Sequence, residues 1–228
     1  MSAKPVLYYS LRSPPSRGVL LTAAAIGLEL DLRSTNLIAK EHMTAKFLKL
    51  NPLHTIPVLD DNGIIISDSH LINGYLVDKY STDETLYPKD VAKRREVDAR
   101  LYFDAGHLFP RARLMVEPVI YFGEDKIEEH KKAYMALAYD GLEKCLTNSA
   151  YLCGEHMTIA DLSAVATISS SEKFAPIDNE KFPNLNAWLK RMSQLPYYVK
   201  INQEGANLLF DTVKTKMEEN KKAKEALK

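Results

Sequence analysis

The chain has 228 residues, 46% of them hydrophobic and 26% charged, with 30 Lys and Arg against 30 Asp and Glu. That length allows one or two domains with a core that needs no staples, and the even charge excludes a global field drawing the chain to nucleic acid or an acidic membrane. The two cysteines, Cys145 and Cys153, form neither a disulfide framework nor a zinc spacing and read as reduced thiols of the cytoplasm; no stretch approaches an apolar membrane span, and MSAKPVLYYS is too short in its apolar run for a signal peptide.

The first eighty residues alternate strand and helix signals. Val6-Leu7-Tyr8-Tyr9 is a β-prone run. Ser13-Pro14-Pro15 follows, an N-cap serine with proline at the first helical position, and Val19, Leu20, Ala23 and Ala24 share one helical face up to Gly27. Leu28, Leu30 and Leu32 alternate with charged residues and predict a second strand. A short helix is expected from Met43 to Leu50, ending at Asn51-Pro52. Ile56–Leu59 and Gly63–Ile66 flank the Asn62-Gly63 pair, a strong hairpin signal. A third helix follows Ser69, read as its N-cap. The order is β-α-β-α-β-β-α.

The stretch STDETLYPKDVA, beginning at Ser81, is polar and broken by Pro88, as a linker is. Beyond it the pattern is helical throughout. A long helix is expected from Lys93 to Phe122, kinked or divided at Pro110 and Pro118. Further helices are expected at 126–146, 158–171, 184–194 and 204–220, with the charge-dense tail a solvated, fraying end. Thr158-Ile-Ala-Asp161 has the form of a capping box and reads as structural, with Met157 and Leu162 as a staple. The architecture is an α/β domain followed by an all-α domain.

Ser13 sits where a helix begins. A hydroxyl beside exposed backbone N–H groups, at the positive end of a helix dipole, is suited to stabilising an anion. No GxSxG elbow accompanies it, which leaves a hydrolase triad unsupported. His42, His54 and His70 fall near loops or helix starts at spacings that match no metal motif, so no metal is expected. His54-Thr55-Ile56-Pro57 leads into a strand, with Ile56 placed to offer its backbone to a ligand. Asp68 and Ser69, at a helix start, suit a group bearing both an amine and a carboxylate.

Together, SPPSR, NPLHTIPVLDDNG, SDSHLI, LYPKD and MTIADLS resemble the cytosolic glutathione transferases, most closely the insect epsilon class with delta as near neighbour. The resemblance covers nearly the whole chain. It implies a thioredoxin-like glutathione-binding domain over residues 1–82, a linker over 83–92, an all-α hydrophobic-substrate domain over 93–228, a homodimer, and a cis peptide bond at Ile56-Pro57. It implies that glutathione is the co-substrate, that no metal or prosthetic group takes part, and that Ser13 donates to the glutathione sulfur and favours its thiolate. The thiolate then attacks a hydrophobic electrophile. By the same resemblance His42 and His54 meet the glycine end, Ile56 pairs with the central cysteine, and Asp68 and Ser69 clamp the γ-glutamyl group, with Thr55, Pro57 and His70 adjoining. The electrophile pocket is expected to take Leu11, Arg12, Leu37 and Phe109, then Ala112, Arg113, Val116, Ile120 and Phe210. Arg12, Leu53, Pro110 and Asp68 depart from the family's usual residues, and the four-residue spacing of Arg113 and Glu117 predicts an i,i+4 ion pair.

The competing readings are a peroxidase, isomerase or dehydrohalogenase on the same site, and a carrier of hydrophobic ligands with residual catalysis. A tyrosine-type transferase would use Tyr8 or Tyr9. A disulfide oxidoreductase fails because SPPS stands where CxxC is needed.

Overall fold

A computed structural model describes residues 3–227; Met1, Ser2 and Lys228, which the expected domain spans include, lie outside the described residues. The N-terminal part is built on a four-stranded sheet. β1 (Val6–Tyr9) pairs in parallel with β2 (Asp31–Ser34) and antiparallel with β3 (Val58–Asp61), and β4 (Ile64–Ser67) pairs with β3, giving the order β2-β1-β3-β4. Helices α1 (Pro14–Ala25) and α3 (Ser69–Tyr80) bury Val19, Leu20, Ile72 and Leu76 against Leu7 and Leu59 of the strands. A 3-10 turn (Glu41–Met43) precedes α2 (Ala45–Leu50). The hairpin stands where Asn62-Gly63 predicts it. Both residues have positive φ, 54° and 92°, as a two-residue primed turn requires.

Two local expectations are corrected. The second strand expected from the leucine alternation is present, but only Leu32 falls in it, because β2 starts three residues after Leu28. The Leu28 N–H closes α1 by donating to the Ala23 carbonyl at 2.8 Å, just past Gly27 at φ 68°, and Leu28 and Leu30 pack on the core as coil. Ser69 is not the cap of α3. Asp68 is, its Oδ1 accepting from the N–H groups of His70 (2.9 Å) and Leu71 (3.2 Å), while Ser69 is the first helical residue and is buried. A carboxylate adds charge complementarity to the hydrogen bonds at a helix start.

The C-terminal part is helical. α4 (Val91–Phe103) starts at an Asp90 cap, two residues before the expected Lys93. A single π turn (Asp104–Leu108) separates it from α5 (Phe109–Tyr121), so the expected long helix is divided ahead of Pro110. Pro110 is the second residue of α5, directly after the π turn, where its lack of an N–H coincides with the change of helical pitch. Pro118 lies inside α5 without dividing it.

α6 (Glu129–Cys145), α7 (Ile159–Ser171) and α8 (Pro183–Met192) follow within a few residues of their expected bounds. A second π turn (Val199–Gln203) leads into α9 (Glu204–Ala226). α9 runs past the expected end at residue 220 because Asn220 Nδ2 donates to the Val119 and Glu124 carbonyls, both at 2.8 Å, and Lys224 pairs with Asp125 at 2.6 Å. Asn220 thus also caps the end of α5.

Every residue of α7 is buried, which makes it the axis of this half. Asp161 holds its start. One oxygen accepts from the Thr158 N–H (2.8 Å) and hydroxyl (3.0 Å), the other from the Leu152 N–H and Trp188 Nε1, both at 2.9 Å. Burial raises its pKa against the pull of those four donors.

The two parts meet along α1 and α7. Gly18 of α1 leaves room for one added carbon at most, 3.4 Å from the Ser163 Cα. Asn73 Nδ2 of α3 donates to Ser163 Oγ at 3.0 Å.

Candidate functional site

Ser13 is the N-cap of α1, with extended backbone (φ −85°, ψ 116°) and its N–H donated to the Ser10 carbonyl at 3.0 Å. Its Oγ accepts from the Ser16 N–H at 3.4 Å. Capping uses only a lone pair of that oxygen. The hydroxyl proton has no acceptor among the described residues and remains a donor for a ligand.

The loop carrying Ser13 is fastened from below by Arg17, a fully buried guanidinium. It donates to the Leu11 carbonyl (3.1 Å), the Ala166 carbonyl (2.6 Å), Asn202 Oδ1 (2.9 Å) and Ser170 Oγ. No carboxylate pairs with it among the described residues, and burial pushes its pKa down to about 9. The sequence gives little sign of this arrangement, because Arg17 reads there as one more polar residue of a helix start.

Ser13 opens onto a cleft between the two parts that encloses about 1090 Å³, counting the solvent at its mouth. Its floor is hydroxyl-rich, with Ser10, Ser13, Ser170 and Ser171; its walls are apolar, from Leu37 and Ile38 on one side to Phe109, Val116 and Ile120 of α5 on the other. Ala112 and Arg113 also line it, as does Arg12. Arg113 Nε donates to Glu117 Oε1 at 2.6 Å, and its guanidinium lies 6.0 Å from the Phe109 ring.

Leu11 and Phe210 do not line the cleft. Leu11 packs on the N-terminal core with its carbonyl held by Arg17. Phe210 turns into the helical core, its ring 5.4 Å from Phe174, while its neighbours Leu209 and Thr212 face the cleft. One residue along a helix is a rotation of about 100°, so choosing 210 over 209 chooses another face. Phe174, Ser170 and Ser171 line the cleft without any periodicity in the sequence to mark them. Tyr8 and Tyr9 do not line it; Tyr8 packs edge-on against Phe47 at 6.1 Å.

The other expected contact residues stand outside the cleft lining, in two groups of the N-terminal part. In the first, the His42 and His54 rings lie 6.2 Å apart. Burial, His54 and Lys40 lower the pKa of His42, whose Nδ1 is enclosed with no hydrogen-bond partner among the described residues. The buried Asn51 shapes this loop: Nδ2 donates to the carbonyl and Oγ1 of Thr55, both at 3.0 Å, and Oδ1 accepts from the Leu53 N–H at 3.1 Å. His54 takes positive φ (47°), and the Ile56-Pro57 bond is cis.

The second group is Asp68, Ser69 and His70. Asp68 has φ 86° and an exposed side chain whose pKa is lowered by His70. His70 Nε2 lies 2.8 Å from Asp104 Oδ2, and its Nδ1 3.5 Å from Asp68 Oδ1. Thr167 donates to Asp104 Oδ1 at 3.2 Å. Burial pulls the His70 pKa down, but the two carboxylates outweigh it and raise it to about 9. The imidazolium therefore ties α3 to the π turn and to α7.

The arrangement offers an uncommitted hydroxyl at a helix N-terminus, in the floor of a cleft with apolar walls, with cationic and anionic groups spread along one domain. Residues 4–78 match the family described as glutathione S-transferase, N-terminal domain, and residues 109–196 match glutathione S-transferase, C-terminal domain. The chain is 42% identical to glutathione S-transferase 1 of Manduca sexta, over 92% of this chain and 98% of that one. The solved epsilon-class glutathione S-transferase of the housefly, Musca domestica, superposes with a TM-score of 0.91 at 45% identity, covering 93% of this chain and 98% of that one. A glutathione transferase homologue from Drosophila mojavensis, solved with bound glutathione, gives 0.91 at 42% identity over 95% and 98%.

Proposed function

This chain belongs to the glutathione S-transferase family, and on that premise we propose that Ser13 is its catalytic hydroxyl, holding the sulfur of glutathione as a thiolate for attack on hydrophobic electrophiles in the cleft. Glutathione conjugation is the activity of the family, and the carrier reading finds no support among relatives named as transferases. The observation that carries the Ser13 assignment is its geometry: a cap oxygen with an unused proton, at a helix N-terminus, opening on the cleft.

The energies suffice. A free thiol with a pKa near about 8.5 is mostly protonated at neutrality, and lowering it by about two units needs roughly 2.7 kcal/mol. A hydrogen bond to a charged acceptor contributes about 1.5–3 kcal/mol and a helix N-terminus about 0.3–1 kcal/mol. Ser13 need not ionise; it donates, the thiolate attacks, and the apolar walls keep the electrophile against it. In this reading His42 and His54, Ile56, and Asp68 with Ser69 hold the two ends and the centre of the tripeptide. The pocket's hydrophobicity fits conjugation of xenobiotics, and peroxidase or dehydrohalogenase turnover would use the same thiolate. A cytoplasmic homodimer completes the reading; exposed Ile64, Ile65, Leu71 and Tyr102 supply apolar surface for the second copy.

The test is Ser13→Ala, assayed with glutathione and a neutral aryl electrophile. Conjugation is expected to fall at least tenfold while glutathione still binds, with the pH of half-maximal rate moving up towards that of the free thiol. An unchanged rate and pH profile would remove Ser13 from the chemistry.

A further inference from the structure

Arg12 stands beside Ser13 on the rim of the cleft, an exposed residue whose Nε donates to Thr212 Oγ1 of α9 at 3.0 Å. Thr212 is itself fixed, donating to the Leu208 carbonyl at 2.7 Å. The bond through Nε orients the guanidinium and leaves both Nη groups without a partner among the described residues. The other charged side chains lining the cleft are Arg113 and Glu117, which neutralise each other at 2.6 Å. Arg12 makes no ion pair among the described residues, so the lining carries an excess positive charge seated on one oriented fork. The rest of the lining is apolar side chains, hydroxyls and the amide of Asn36, with no carboxylate free to answer that charge.

We propose that the cleft is specific for amphipathic electrophiles bearing a carboxylate, with the apolar body against α5 and the carboxylate received by the Nη groups of Arg12. A planar fork held by its Nε presents two parallel donors, the geometry a carboxylate accepts bidentately. The proposal rests on the reading of Ser13 as thiolate donor, which puts the reacting sulfur next to the cation. Carboxylated enones are the fitting reactants. The thiolate sulfur forms a bond to the β-carbon, the C=C π bond breaks, its electron pair moves towards the carbonyl, and a proton from water ends on the α-carbon. No oxidant or reductant is needed.

The experiment compares an aryl enone carrying a para-carboxylate with its methyl ester, measuring kcat/KM for conjugation in the wild type, Arg12→Leu and Arg12→Lys. The ratio of acid to ester is expected to fall about tenfold in Arg12→Leu, to be partly kept in Arg12→Lys, and in the wild type to decline as salt is raised from low to physiological strength. An acid-to-ester ratio that is the same in wild type and Arg12→Leu, with both probes turned over, overturns the proposal and leaves Ser13 untouched. Turnover of neither probe, nor of a neutral aryl halide, would instead overturn the transferase reading of the site. The KM for glutathione separates a third outcome: if Arg12→Leu raises it tenfold while the acid-to-ester ratio holds, the fork serves the tripeptide and the proposal fails.

Discussion

The tie between His70 and Asp104 makes a prediction with a definite sign. Two carboxylates hold His70 with a pKa of about 9, against an ordinary value of 6.5. The folded chain therefore keeps a proton that the unfolded chain releases on passing 6.5. The stabilisation is complete below about pH 6.5 and is lost as the pH rises through about 9. That interval corresponds to roughly 3 kcal/mol. Screening takes little from it, since the two side chains are only 14% and 6% exposed. Asp104→Asn keeps the size of the side chain and removes the charge. Urea unfolding followed through Trp188, the single tryptophan and fully buried, reads the effect at fixed protein concentration. The stability of the wild type minus that of Asp104→Asn is expected to be largest near pH 6.5 and to shrink by about 2–3 kcal/mol by pH 9.5. His70→Gln should flatten the same pH dependence. A difference between wild type and Asp104→Asn that stays constant over that range would refute the charged tie.

Other expectations follow from single contacts. A methyl group at Gly205 would fall 2.3 Å from the Leu11 carbonyl oxygen and 2.4 Å from Arg17 Cδ, so Gly205→Ala is expected to lower stability by about 1–3 kcal/mol and to reduce conjugation by displacing the Ser13 loop. Calorimetry and the standard conjugation assay check both effects, and an unchanged melting temperature would show that α9 does not press on that loop. The homodimer is checked by sedimentation equilibrium. A mass of twice 25.7 kDa is expected, and Leu71→Glu with Tyr102→Glu should shift it towards the single chain. A monomer at all concentrations would refute it.

The parts of this molecule legible in its sequence are those decided locally. The Asn62-Gly63 turn, the Ser13-Pro14 helix start and the Thr158–Asp161 box each need only a few neighbouring residues, and each stands in the structure. The division of the long helix was legible as an event but not as a geometry, because proline marks a fault without saying that a π turn will absorb it. What escaped reading was decided between distant segments. Leu28 and Leu30 alternate like a strand because one core buries them, yet α1 claims the Leu28 N–H. Phe210 and Leu209 are equally apolar in the sequence, and only the packing of Phe174 says which turns inward. Ser170 and Ser171 reach the cleft because α7 is buried on all sides, including the side towards Ser13.

The bonds of Arg17 have a mechanical consequence. They run from the helix that carries Ser13 to the Ala166 carbonyl and Ser170 on α7 and to Asn202 beyond it. The seam between the two halves is thus anchored at the helix start that carries Ser13, the hydroxyl we propose holds the thiolate. Hinge motion of one half over the other would pull three acceptors away from a buried guanidinium, so the position of Ser13 is insulated from it. Adaptation to guests of different shape falls to the rim, where Leu37 and Ile38 take no part in that anchor.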